Sequence, residues 1–212
     1  LSTMVDPLPY VESVTNTAET QGGAEIESDD ALAERIYLAP GAYSTAGPTD
    51  GYLYHARKFS ASIGDVVATS DQAAGEVDIV FLMADGSAPS AAMIAALKEY
   101  LSGDTIRPMT DKLTVAAPVE VTYSINLTYY IASSNVKNAG LIQENVEKAV
   151  EEYKTWQRKI GLDIDPAELI MRVREAGAKR PRLTAPVDTV VSKIQVSKVT
   201  ECKITYGGIE DD

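Results

Sequence analysis

The sequence predicts an α+β fold: two small consecutive domains, each a short mixed or antiparallel sheet packed with helices. Three observations carry this. From Val119 to Ile131 every odd residue is apolar, while Thr122, Ser124, Asn126 and Thr128 are small and polar, the pattern of a long strand with one buried and one wet face. A shorter apolar run, Leu113 to Ala117, precedes it and ends at Pro118, which cannot donate to a ladder and lets the chain leave one sheet for another. Stripes of helical period alternate with strand-like runs on both sides of that break. The join therefore falls at Ala117–Pro118, giving an arm or connecting segment at 1–27, a central domain at 28–117 and a C-terminal domain at 118–212.

The first 27 residues carry few periodic signals; Asp6-Pro7-Leu8-Pro9 favours extended backbone and Gln21-Gly22-Gly23 a turn. A helix starts at Ser28, whose hydroxyl can cap free N–H groups, with Asp29 and Asp30 at the positive end of the helix dipole. Leu32, Ile36 and Ala39 form its expected inner face, and Pro40-Gly41 stops it. A second helix opens at Gly47-Pro48 with Tyr52, Ala56 and Phe59 inward. Strands Asp65–Ser70 and Glu76–Met83 form a hairpin across Asp71–Gly75. Val77, Ile79 and Phe81 face one way and Val80 and Leu82 the other, so the second strand reads as central and covered on both sides. After Asp85-Gly86, Pro89 opens a helix with Ile94, Leu97 and Leu101 on one face and Gly103 as a left-handed cap. The turn Arg107–Asp111 leads into strand Lys112–Ala117.

Beyond the long strand, Ile142, Val146, Ala149, Tyr153, Trp156 and Ile160 line one face of a helix from Ala139 to Ile160, ended by Gly161. Glu144 and Lys148 sit at the favourable i,i+4 spacing, worth about 0.3 kcal/mol. Asp165-Pro166-Ala167-Glu168 reads as a capping box opening a helix to Ala176. The tail alternates through Val190–Val196 and Val199–Tyr206 and closes at Gly207-Gly208.

Composition narrows the function. In 212 residues, 31 acidic side chains against 19 basic give a net charge of −12, which suits neither nucleic acid nor anionic lipid. No apolar run approaches a membrane span, and no signal peptide is visible at a start that reads as trimmed. The one cysteine, Cys202, excludes an internal disulfide and reads as a buried, inert thiol. No catalytic, metal-binding or cofactor-binding set emerges. His55 is the only histidine and lies beside a core stripe, where a partly exposed structural role fits. Asp29, Asp30 and Asp165 serve helix starts, Glu147, Glu151 and Glu152 form a solvated face, and neither Gly-Gly pair has a phosphate-loop frame. Eleven tyrosines, several on the long strand, fit a core and also protein interfaces.

Several segments in order resemble a known family. Asp6-Pro7-Leu8-Pro9-Tyr10-Val11, Gly22-Gly23-Ala24-Glu25 with Glu27-Ser28-Asp29, Arg35-Ile36, Tyr43-Ser44-Thr45-Ala46-Gly47, Tyr52-Leu53-Tyr54-His55-Ala56, Arg107-Pro108-Met109-Thr110-Asp111 and Ile204-Thr205-Tyr206-Gly207-Gly208 are similar to the phage baseplate J-like proteins. The resemblance spans nearly the whole chain and implies a structural subunit of the baseplate wedge of a contractile tail. Such a subunit would sit in the virion after assembly in the host cytoplasm. Its implied partners are other copies of itself and other wedge and hub proteins, with no enzyme activity, cofactor, nucleic acid, membrane or small-molecule substrate. Full-length members carry a further N-terminal region. The motif residues Gly22, Gly23, Ser28, Asp29, Arg107, Pro108, Thr110 and Asp111 also have folding roles as turns, caps and bends, and Arg107 and Asp111 are expected to brace their turn. Two other classes remain open on the residues: a tail-associated cell-wall hydrolase, which would need an acidic pair or metal cluster in a cleft, and a host adaptor domain.

Overall fold

The computed structural model describes residues 27–43, 49–71 and 73–211. The expected arm up to residue 26, the Gly22-Gly23 turn and the Gly47-Pro48 helix start lie outside them.

Helix α1 (Asp29–Leu38) begins as expected: the Ser28 hydroxyl accepts a hydrogen bond from Ala31 N at 3.3 Å, with Asp29 and Asp30 in the first turn. Its inner face differs from the expectation. Ile36 is 62% exposed and Leu32 39%, while Leu38 is buried. Two ion pairs accompany this rotation. Glu34 reaches Arg57 at 2.7 Å and Arg35 reaches Glu27 at 2.8 Å. Leu38, three and four residues on, shares their side of the helix and is drawn in with them. A 3-10 turn (Ala39–Tyr43) follows, then α2 (Thr49–Phe59), which buries Tyr52 and Ala56.

Strands β1 (Ile63–Asp71) and β2 (Glu76–Met83) pair antiparallel, and β3 (Lys112–Ala116) joins β2 in parallel after α3 (Ala91–Leu101). The order β1-β2-β3 makes β2 central. Its Val77, Ile79 and Phe81 pack with Tyr52, Ala56, Leu97 and Leu101. Two expected helix ends shift. Ser90, not Pro89, caps α3 by accepting from Met93 N at 3.2 Å, and the helix closes on a right-handed Ser102 whose hydroxyl donates to Lys98 O, leaving no left-handed role for Gly103.

In the second unit β4 (Val119–Ala132) is central again: β5 (Arg180–Ala185) pairs with it antiparallel and β6 (Gln195–Glu210) in parallel. A 3-10 helix (Ser133–Asn138), which no sequence signal marked, leads to α4 (Ala139–Gln157), and α5 is Pro166–Glu175. The odd residues of β4 from Tyr123 to Ile131 pack under Ile142, Val146, Val150, Tyr153, Leu169 and Val173, while Val119 is exposed. The fold is thus α+β with two three-stranded mixed sheets packed with helices, as expected.

Several local expectations for this unit are corrected. Lys148 pairs with Glu152, not Glu144. Asp165 caps α5 through Ala167 N at 2.7 Å, but Glu168 turns to Arg172, so the reciprocal half of the capping box is missing. The tail forms one long strand through Gly207-Gly208 to Glu210, with Thr200 taken up in a bulge between Val199 and Glu201. Gly207 permits this because a Cβ there would come within 2.6 Å of the Tyr130 ring. Cys202 is exposed on this strand, not buried.

Leu127 is fully buried whereas Val119 is 60% exposed. Leu127→Ala is expected to cost about 3 kcal/mol of unfolding free energy in urea titrations, and Val119→Ala less than about 0.5 kcal/mol.

Candidate functional site

The joint between the two units is where the chain concentrates its long-range polar contacts. Its origin is the second face of β2. Val80 and Leu82 point away from the first core, and Ile160 and Val196 of the second unit cover them, with Val67 alongside. Ile160 can do so because α4 stops three residues earlier than the apolar stripe suggests. Gln157, fully buried, ends the helix: its Nε2 donates to Leu162 O and Asp163 O at 3.2 and 2.9 Å, its Oε1 accepts from Asp165 N, and its carbonyl accepts from Ser197 Oγ at 2.7 Å. A buried amide is retained only when satisfied, and every polar group of this one has a partner.

The next residue, Arg158, ties both units together. Its Nε donates to Gly86 O at 3.0 Å, Nη1 to Ser197 O at 2.8 Å and Nη2 to Glu120 Oε1 at 2.8 Å. Gly86, at φ 77°, carries no Cβ, and one placed there would crowd Arg158 Cγ at 3.3 Å. Across the joint Asp65 Oδ2 accepts from Ile160 N at 2.8 Å. Beside these contacts lies a cleft of about 810 Å³ whose charged lining includes Arg57, Lys154 and Lys198. Each of the three already has a carboxylate partner: Glu34, Glu151 and Glu120 respectively. Lys198 first and Arg158 second hold the Glu120 carboxyl below its ordinary value of 4.5, with burial opposing them. Three of the cleft's cations are thus paired with carboxylates, and Arg158 bridges the two units.

The expected motif residues fall elsewhere. Ser28 and Asp29 start α1. Arg107, Pro108, Thr110 and Asp111 form the turn before β3, inside the first unit. Arg107 Nη1 donates to Asp111 O at 2.7 Å, Asp111 N to Pro108 O at 3.2 Å, and Thr110 Oγ1 to Asp111 Oδ1 at 3.3 Å. Tyr52 OH donates to Asp111 Oδ2 at 2.8 Å, fastening the turn to α2. Burial first and this bond second raise the Tyr52 phenol well above its ordinary range. His55 packs edge-on against Tyr54 at 5.3 Å, and burial, helped by Lys58, lowers its pKa. Among the described residues no group of three or more His, Cys, Asp or Glu gathers as a metal site would need, and no helix is long and apolar enough to cross a membrane. Sequence reasoning missed Gln157, Arg158, Asp65 and Ser197, because nothing local marks a residue whose partners lie far along the chain.

With this geometry in hand, residues 44–117 match the family model of the baseplate J-like central domain. The chain is a distant homologue of baseplate protein J of Escherichia phage P2, 30% identical over 189 residues, which is 89% of this chain and 62% of that relative. The chain thus spans less than two thirds of that relative's length. It also resembles a chain of the cryo-EM structure of the anti-feeding prophage (AFP) baseplate, 6-fold symmetrised, with a TM-score of 0.53 and 14% identity, over 82% of this chain and 42% of that one, a likeness of fold. The resemblance drawn from the motifs is borne out by these matches.

Arg158→Ala leaves two carbonyls and a carboxylate at the joint without their donor, and is expected to lower stability by about 2 kcal/mol. Fluorescence of Trp156, the one tryptophan, should then report the second unit unfolding apart from the overall circular dichroism transition. A second expectation concerns acid. Glu120 is lowered in the fold, so its contribution is complete above the ordinary carboxyl value and disappears as pH falls through the lowered one. Glu120→Gln should flatten the acid side of the stability–pH curve and leave its neutral part nearly parallel to that of the parent.

Proposed function

We propose that this chain is a structural subunit of the baseplate wedge of a phage or prophage contractile tail. It assembles through protein–protein contacts, with other copies of itself and other wedge and hub proteins, into a ring around the tail hub. It acts in the virion after assembly in the host cytoplasm, and it is not an enzyme. The observation that carries this reading is the relation to baseplate protein J across 89% of the chain. In the same reading residues 28–117 and 118–212 are consecutive domains joined at Ala117–Pro118, with residues 1–27 as an arm or connecting segment. Arg107, Pro108, Thr110 and Asp111 brace the turn before β3. The joint around Arg158 suits a part that must pass force from one unit to the next without bending.

The test is an affinity pull-down of the tagged protein, in its full genomic length, from an induced lysate with partners identified by mass spectrometry. Recovery of wedge, hub or sheath proteins is expected. Recovery of host proteins alone, with tail proteins present in the lysate, would overturn the assignment.

A further inference from the structure

Histidine occurs once in this chain, at His55 within α2, and it is set into the contact between two helices. Tyr54 meets its ring edge-on at 5.3 Å, and Tyr100 of α3 lies 6.3 Å away, tilted by 59°. Tyr100 is in turn 5.2 Å from Phe59, one turn further along α2. These four rings form a seam between α2 and α3, alongside the core residues Ala56, Leu97 and Leu101. Within it the imidazole is half-buried, and its Nδ1 is closed off from solvent without a hydrogen-bond partner. An imidazolium carries a proton on both nitrogens, so charging this ring would place an N–H at Nδ1 with nothing to accept it. The neutral ring avoids that by keeping its proton on Nε2.

The surrounding charges point the same way. On α2 itself Lys58 acts on the ring, whereas Arg57 turns to Glu34 and to Gly64 O. From α1, Arg35 reaches toward Tyr54 and is paired with Glu27, while Glu34 is held by Arg57. α3 contributes Tyr100, and its Lys98 and Glu99 are exposed. On β1, Asp65 accepts from Ile160 N and Asp71 from Ala73 N and Ala74 N. The 3-10 turn at Ala39–Tyr43 has no acidic or basic residue. Among the described residues, no carboxylate is placed to steady a charged imidazole.

We propose that His55 is an acid-sensitive latch of the first unit: neutral, it completes the aromatic seam that holds α2 to α3; protonated, it forces α2 off that seam. Two contacts of the same helix leave with it. Tyr52 OH fastens the turn before β3 through Asp111 Oδ2, and Arg57 holds Glu34 of α1. The second unit has no histidine, so mild acid reaches the first unit through this ring and has no matching group in the second. Burial first and Lys58 second lower the folded pKa below the ordinary 6.5, so just below that value the unfolded chain binds the extra proton. The latch therefore contributes fully above 6.5 and weakens as pH falls below it. Its window lies above that of Glu120, whose ordinary value is 4.5.

An NMR titration of the whole 212-residue chain tests this, because a single imidazole gives an unambiguous signal. The midpoint is expected below 6.5 in the folded chain and at its ordinary value in urea, with nitrogen shifts of a neutral ring protonated at Nε2. Hydrogen exchange, corrected for intrinsic rates, should show α2 losing protection between about pH 7 and pH 5.5 while α4 and β4 keep theirs. His55→Phe keeps a ring in the seam and should abolish that loss. Lys58→Gln, on the exposed side of α2, should move the midpoint up toward 6.5 and decides the matter if His55→Phe fails to fold. A folded midpoint at or above 6.5, a neutral ring protonated at Nδ1, or a midpoint indifferent to Lys58→Gln would each overturn the proposal. So would α2 protection that holds through the acid range, or that His55→Phe loses as the parent does.

Discussion

Everything at the centre of this molecule depends on one constraint: β2 is apolar on both faces. A strand with one buried face can border solvent, but Val80 and Leu82 on the far side of β2 would leave a greasy sheet facing water. Among the described residues the first unit places no helix there, because α2 and α3 both lie on the face with Val77, Ile79 and Phe81. The second unit supplies the cover, and its own architecture is bent to do so.

That bending is visible at the end of α4. Continued as a helix, residues 158 to 160 would have stayed beside the second core. Instead the buried amide of Gln157 captures the carbonyls of Leu162 and Asp163, and the chain leaves the helix. Ile160 then reaches Val80 and Leu82, and the Arg158 guanidinium spans three acceptors drawn from the β2–α3 turn, β6 and β4. An apolar contact supplies affinity between the units, and a planar fork of donors fixes their angle. Flexible side chains could not do the second job.

Much of this frame was legible in the sequence, for identifiable reasons. The alternation of β4 from Tyr123 onward, the two-faced pattern of β2 and the Tyr52–Ala56 stripe all report burial that follows from local period, whereas the start of β4 at Val119 is exposed. Misreadings cluster where a distant partner overrides a local rule. Leu32 and Ile36 looked like an inner face, yet both are exposed, and neighbouring Glu34 and Arg35 pair with Arg57 and Glu27. Ile160 fitted the helical stripe but serves another core. Gly207-Gly208 looked like a stop, yet the glycine there makes room for Tyr130 beneath a continuing strand. For the motif residues the pattern was similar: the bracing of the Arg107–Asp111 turn is found, whereas Tyr52 as its anchor lies 59 positions away and no spacing announces it. The joint itself was invisible for the same reason.

The parallel pairing of β4 with β6 also sets an order of events in time. The first sheet closes over short distances, a hairpin followed by one crossover through α3. The second cannot close until residues 195–210 reach residues 119–132, across two helices and β5. Pairings of such wide separation are slow to find, because loop-closure entropy must be met before any contact rewards it. During synthesis the first unit can therefore be complete while β4, apolar along one face and unpaired on one side, waits for its partner. That interval is when the chain is most exposed to misassociation.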